Sequence, residues 1–378
     1  MRRVSVSLIV LTALLSSVVS LAQVDRILIS AGTPEDQALQ AISNEQDAQK
    51  RLAMYEDFVQ KFSTNAAAVA YGNWQISQAY QTDGNLEKAL TYGDKALAAL
   101  PNNLEILVSQ ASIAQQMKSN AKVMEYATRG GRAYNGEEHR PKPEGMTDEQ
   151  FANRVTEIKE KSKSAYEYLE SAAFNAIADE KDAKARMSYI ERFTPAFPAS
   201  RFDEPVAQYA MYTLGQLNEP ARLFSYGEKA LAANPNSMPT MLLLANAYVE
   251  DSRPGSPAKA ITYAEKVIAL AKADEPDADK TRKISGGVAH STLGWAYVKQ
   301  EKAAAAIPEL KTAAALLKDQ DDVSYATALY RLGYAYGKTN HMAEARAALE
   351  EAVKIPGPLR APSQELLDKV NSARTKPK

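Results

Sequence analysis

The sequence predicts an all-α fold, an α-solenoid of antiparallel helix pairs, and three observations carry that expectation. Residues that favour helix, chiefly Ala, Leu, Glu, Lys and Gln, are abundant along the chain. A spaced pattern recurs: Leu293-Gly294 is followed by Tyr297, Ala306 and Ala313 at steps of 4, 9 and 7, and Leu332-Gly333 by Tyr336, Ala345 and Ala352 at the same steps. Two helices joined by a tight turn explain it, with small residues wherever the backbones approach closely. Finally, a long stretch of the chain occurs twice. Ala41-Ile42, Glu45, Asp47-Ala48, Arg51, Glu56, Phe58 and Phe62 return 135 residues later as Ala176-Ile177, Glu180, Asp182-Ala183, Arg186, Glu191, Phe193 and Phe197. The segment from Thr91 to Pro101 is echoed from Ser225 to Pro235, and Tyr126-Ala127 by Tyr263-Ala264. Chance apolar periodicity does not reproduce specific acids, glycines and prolines in register.

From the N-terminus, Arg2-Arg3 precede an apolar run from Val4 to Val19, and Ser20-Leu21-Ala22 offers a small-x-small cleavage site before Gln23. That is the three-part layout of a secretory signal peptide. Residues 1–22 are therefore set apart from the fold, and the mature chain is expected to begin at Gln23, exported to the periplasm, with an extracellular destination as the alternative, and with no integral membrane span. The run is short for a span and carries several Ser and Thr, although an uncleaved anchor is the alternative. Cysteine is absent from the 378 residues, which excludes disulfides and thiolate chemistry. A net charge of −1 with both signs interspersed gives no footprint for nucleic acid.

After a short linker over 23–32, Pro34-Glu35-Asp36 suits the first turn of a helix. Helical spacing continues through Leu52, Tyr55, Phe58 and Phe62. Within a first block over 33–130, residues 70–103 form one unit: Ile76, Tyr80, Ala89 and Ala96 keep the same steps, and Asp83-Gly84-Asn85 turns between the helices. Residues 104–130 form another, with Gln110 and Ala114 where Leu and Tyr are expected. The Pro- and Gly-containing stretch 131–146 reads as a loop. Thr147-Asp-Glu-Gln150 reads as a capping box opening a long helix. Residues 147–274 hold that helix and the second copy, with units 204–237 and 238–274. A polar linker over 275–286 leads to two last units over 287–357. The stretch 358–378 supplies a capping helix bearing Leu366, Leu367 and Val370, then a basic tail.

These spacings resemble the tetratricopeptide repeat, whose signature runs W-x-x-L-G-x-x-Y, then Ala, an aromatic and Pro. The resemblance covers residues 70–130 and 204–355, and more loosely 33–66 and 168–200. It departs at the opening Trp, where Asn73, Leu107, Ala207, Met241, His290 and Leu329 stand. Gly after the signature Leu survives only as Gly294 and Gly333. The resemblance implies a right-handed solenoid whose first helices line a concave groove, using the residue two before the signature Leu and the residue just after the signature Gly. Carried onto this chain, those positions are Trp74 and Gln78, Gln208 and Tyr212, Leu242 and Asn246, Ser291 and Trp295, and Tyr330 and Tyr334. Lys338 lies one turn beyond Tyr334. Aromatics and amides there suit an extended peptide, so a protein or peptide partner is expected. The competing reading buries Trp74 and Trp295 between units.

Little points to chemistry. His139, His290 and His341 lack metal-ligand spacing, and His290 falls on the buried side of a first helix. No phosphate-binding loop, dinucleotide fingerprint or nucleophile elbow occurs. The expectation is a non-catalytic scaffold without metal or cofactor. Its rivals are a binder of a glycan or peptidoglycan on the same groove, and an enzyme with a loop-borne site near His139.

Overall fold

The computed structural model describes residues 24–373; the expected signal peptide and the end of the basic tail lie outside them. Among the described residues the chain forms seventeen α-helices and one 3-10 turn, with no strand. It divides into two compact units, one running to Ala176 and including Arg192–Pro198, the other comprising Ile177–Glu191 and everything from Ala199. Each is an all-α stack of helix pairs.

In the first unit, α1 (Pro34–Asn44), α2 (Ala48–Lys61), α3 (Ala66–Thr82), α4 (Leu86–Ala99), α5 (Leu104–Gln116) and α6 (Asn120–Gly136) follow one another, and from α1 to α6 each packs on the next. The inter-helix turns supply the side chains that start the next helix. Thr33, Asp47, Asn65, Asn85 and Asn103 each accept from backbone N–H groups of the turn they open. Gly84, at φ +75°, allows the tight α3–α4 turn. Gln110, standing where the pattern has Leu, is fully buried beside Gly93, and its Nε2 donates to the Leu90 carbonyl (2.9 Å).

The N-terminal segment, expected as a linker, is tied to this unit. Asp25 N–H donates to the Asn102 carbonyl, Asn103 Nδ2 donates to the Asp25 carbonyl (3.1 Å), and Val24 N–H donates to the buried Glu137 carboxylate. Residues 131–146 also depart from the expected loop. Helix α6 continues to Gly136 and a 3-10 turn covers Glu137–His139, so the irregular part starts at Arg140. Gly131 does not break the helix: the Ala196 carbonyl oxygen would stand 2.6 Å from a Cβ there, so this glycine lets two backbones meet. Asn135 Nδ2 donates across the same contact to Ala196 O (2.9 Å). The long helix is α7 (Asp148–Asp179), opened by reciprocal hydrogen bonds between Thr147 and Gln150.

The duplication reappears as hydrogen bonding. Asp47 and Asp182 cap α2 and α8 (Ala183–Ala196), each accepting from the N–H three residues on. Glu45 and Glu180 each accept from the N–H of the capping Asp. Arg51 and Arg186 donate to the carbonyls of Glu45 and Glu180, at 3.1 and 3.0 Å. Phe58 packs on Phe62 at 5.0 Å between ring centres, and Phe193 on Phe197 at 4.9 Å.

The second unit carries α9 (Asp203–Gln216) with α10 (Pro220–Ala233), α11 (Met238–Glu250) with α12 (Ser256–Ala271), α13 (Lys280–Lys299) with α14 (Ala303–Leu317) and α15 (Asp322–Lys338) with α16 (Met342–Lys354), closed by α17 (Arg360–Ala373). The polar linker is shorter than 275–286, because α13 already begins at Lys280, capped by Asp279. Gly286 and Gly287 sit inside this helix where Ala273 and Leu317 press on them. Gly294 and Gly333 play the role the repeat pattern requires. A Cβ on either would stand 2.6 Å from Leu310 Cγ or Leu349 Cγ. Ala306, Ala313, Ala345 and Ala352 are fully buried. On α17, Leu367 and Val370 cover Ala345 and Leu349. First helices also stack on first helices, α9 on α11, α11 on α13, α13 on α15 and α15 on α17, making one face out of alternate elements.

Candidate functional site

The expected site residues fall in three separate groups, one in the first unit and two along the first helices of the second. In the first unit, Trp74 is half-buried on α3 and its enclosed indole Nε1 has no acceptor. One turn on, Gln78 joins Arg51, Leu52, Tyr55, Gln75 and Thr82 around a cleft of about 480 Å³ between α2 and α3. Burial, with Tyr71 beside it, pushes the Tyr55 phenol up to about 12, so it stays a neutral donor at physiological pH.

On α9, Gln208 is half-buried and Tyr212 is 57% exposed. The Arg186 guanidinium lies over the Tyr212 ring (5.4 Å), and the Tyr212 hydroxyl accepts from Gln216 Nε2 (3.1 Å). Arg186 also donates from Nε to Thr213 Oγ1 (2.7 Å).

The third group joins α11, α13, α15 and α17. Asn246 Oδ1 accepts from Thr292 Oγ1 (2.8 Å), so this amide ties α11 to α13. Leu242 packs against the cluster of Met241, Val267 and Ala289. Trp295 is half-buried: its Nε1 donates to Glu250 Oε1 (2.8 Å), and its ring meets Tyr334 edge-on at 5.3 Å. Three cations border these rings. Lys299 lies 5.4 Å from the Trp295 centroid and pairs with Glu250 (3.0 Å), Arg331 lies 5.6 Å from the same ring, and Lys338 is 5.7 Å from the Tyr334 centroid. Ser291 is buried and accepts from Arg331 Nη1 (3.1 Å). Tyr330 belongs to the α15–α17 contact, packed against Leu349 and Leu367.

Trp295, Tyr334 and Lys338 are thus brought together, Asn246 is engaged in joining helices, and Tyr330 leans towards α17. Glu250, Lys299 and Arg331 were not foreseen. Glu250 and Lys299 stand one turn after Asn246 and Trp295 on the same helices, a spacing that could have found them. His290, expected as a packed core residue, is half-buried with Nδ1 2.7 Å from Glu309 Oε2, a pairing across α13 and α14. His341 sits in the turn beside Thr339 and Tyr336, and His139 in the 3-10 turn. No group of His, Asp or Glu among the described residues is arranged to hold a metal ion, and no described helix is long and apolar enough to cross a membrane.

Fold and face together define a helical-repeat protein that displays side chains from successive first helices. Residues 326–357, spanning most of α15 and all of α16, match the tetratricopeptide repeat family. No curated protein matches its sequence. Solved structures similar to it include a tetratricopeptide repeat protein from Parabacteroides merdae, 12% identical with a TM-score of 0.37, the match covering 89% of this chain and 98% of that one. Another is a thermophilic tetratricopeptide repeat protein from Thermus thermophilus, 20% identical with a TM-score of 0.35, covering 51% of this chain and 91% of that one.

Proposed function

We propose that the protein is an exported, non-catalytic scaffold of the cell envelope that holds a protein or peptide partner on its first-helix face. The observation that carries this reading is the α13–α15 corner. There Trp295 and Tyr334, neither of them buried, meet edge-on with their planes 78° apart, within a border of three cations. Large amphipathic rings give contact area at low entropic cost, and neighbouring charged donors fix register, as in protein-binding hot spots. Export rests on the signal-peptide layout of residues 1–22. The test is retention from an envelope fraction on immobilised wild type, Trp295→Ala and Tyr334→Ala proteins. The reading expects a discrete protein retained by the wild type and depleted on both variants. Retention of envelope polymer in its place, or equal retention on all three, would overturn it.

A further inference from the structure

Arg331 and Lys338 are the cations of the α13–α15 corner that no ion pair joins to a carboxylate among the described residues, and Arg331 is the more buried of the two. Its Nη1 donates to Ser291 Oγ, a neutral acceptor, and none of its other donors reaches a carboxylate among the described residues. Burial holds its guanidinium down at about 10, only partly offset by the pull of Glu250. Glu250 is already engaged by the Trp295 indole and Lys299. A cation taken out of water without a partner is costly, and a ligand that supplies the opposite charge removes that cost. The surroundings share the bias: Lys299 and Arg331 border the Trp295 ring and Lys338 the Tyr334 ring, while Glu250 is the carboxylate bonded to Trp295 and Lys299.

We propose that this corner is a receptor for a carboxylate side chain of an extended acidic peptide, bound by the free N–H groups of Arg331 beside the Trp295 ring and flanked by Lys299 and Lys338. This deepens the peptide-binding reading above and rests on it. A guanidinium presents its donors in a planar fork that matches a carboxylate, and charge-assisted hydrogen bonds are about twice as strong as neutral ones. A chain with net charge −1 and only a local cluster of cations is matched to one or two acidic side chains rather than to a long polyanion. Tyr334 would take a neighbouring side chain of the same peptide.

The probe is a short synthetic peptide alternating Glu with Val, compared with its Gln counterpart, followed by fluorescence in a Trp74→Phe background that leaves Trp295 as the only reporter. The Glu peptide should bind, and the Gln peptide should bind about tenfold more weakly or worse. Arg331→Met should lose a similar factor with its helical circular dichroism intact. Lys338→Gln, an exposed change, should lose a few-fold and flatten the salt dependence. Equal affinity for the two peptides, no binding of the Glu peptide, or wild-type affinity in folded Arg331→Met overturns the receptor. Should Arg331→Met fail to fold, unchanged affinity in Lys338→Gln and Lys299→Gln overturns it as well. Equal binding of both peptides that is lost in Trp295→Ala removes the carboxylate receptor and leaves the peptide-binding face standing. Loss of partner retention as a discriminating property of Trp295→Ala and Tyr334→Ala removes both.

Discussion

Replacing Gly333 by Ala puts a methyl where Leu349 already lies. The new Cβ would stand 2.6 Å from Leu349 Cγ, 2.8 Å from Cδ2 and 3.3 Å from Cδ1. Carbon atoms in contact settle at about 3.5–4.0 Å, so roughly 1 Å must be found between α15 and α16. Leu349 is fully buried, in the cluster with Leu367 and Val370. Overpacking of this kind costs about 1–3 kcal/mol, while the better helix propensity of Ala returns up to about 1 kcal/mol. The net expectation is a loss of about 1–2 kcal/mol. Gly337, one turn further along the same helix, has nothing within 4 Å of the equivalent position, so Gly337→Ala should gain up to about 1 kcal/mol. Urea unfolding of both variants reads the sign, and hydrogen exchange reads the place. In a stack where each pair leans on its neighbours, Gly333→Ala should lower protection in α15 to α17 before the rest. Shifts of the same sign and size in both variants would refute the close-approach argument.

Other expectations follow from the same structure. Ala313→Asp places a charge among Leu317, Tyr325, Leu329 and Ala352 in a fully buried methyl's place, which should cost several kcal/mol and open α13 to α16 first; a wild-type melt would show the packing register to be wrong. Burial holds the folded-state pKa of Arg331 at about 10, below the ordinary arginine value, so in the window between the two the unfolded chain binds more protons and stability rises with pH. Below that window the burial of its charge is a constant cost, so Arg331→Met should melt at or above the wild type at pH 7; a marked drop would make the Ser291 contact structural. Exported protein should begin at Gln23 on N-terminal sequencing, and an intact Met1 would contradict the signal peptide.

The helix pairs were legible because their rules are local. Leu-Gly followed by Tyr, Ala and Ala marks where two backbones must approach, and Gly294 against Leu310 and Gly333 against Leu349 are those approaches. The duplicated acids were legible too, and the reason for their recurrence is that Asp47 and Asp182 cap helices while Glu45 and Glu180 hold the caps. Gly131 was harder. A glycine in sequence announces freedom from a side chain without saying whether that freedom serves a turn or a contact with Ala196. The site was legible only along single helices. Trp295, Tyr334 and Lys338 follow from spacing, but Glu250 stands 45 residues before Trp295 and Arg331 meets Ser291 from 40 residues away. Which residues of three different helices converge is decided by how the helices stack, and no periodicity within one helix encodes it.

The central claim is that the first-helix face works by contact with a partner, and Trp295→Ala tests it most directly when melting temperature and partner retention are measured on the same preparation. Trp295 is half-buried and held by one hydrogen bond to Glu250 and one edge contact to Tyr334. The account predicts a melting temperature within a few degrees of the wild type and a loss of about 1–3 kcal/mol in partner binding. A large fall in melting temperature, with retention lost only as the protein unfolds, would place Trp295 among the packing residues and contradict the account.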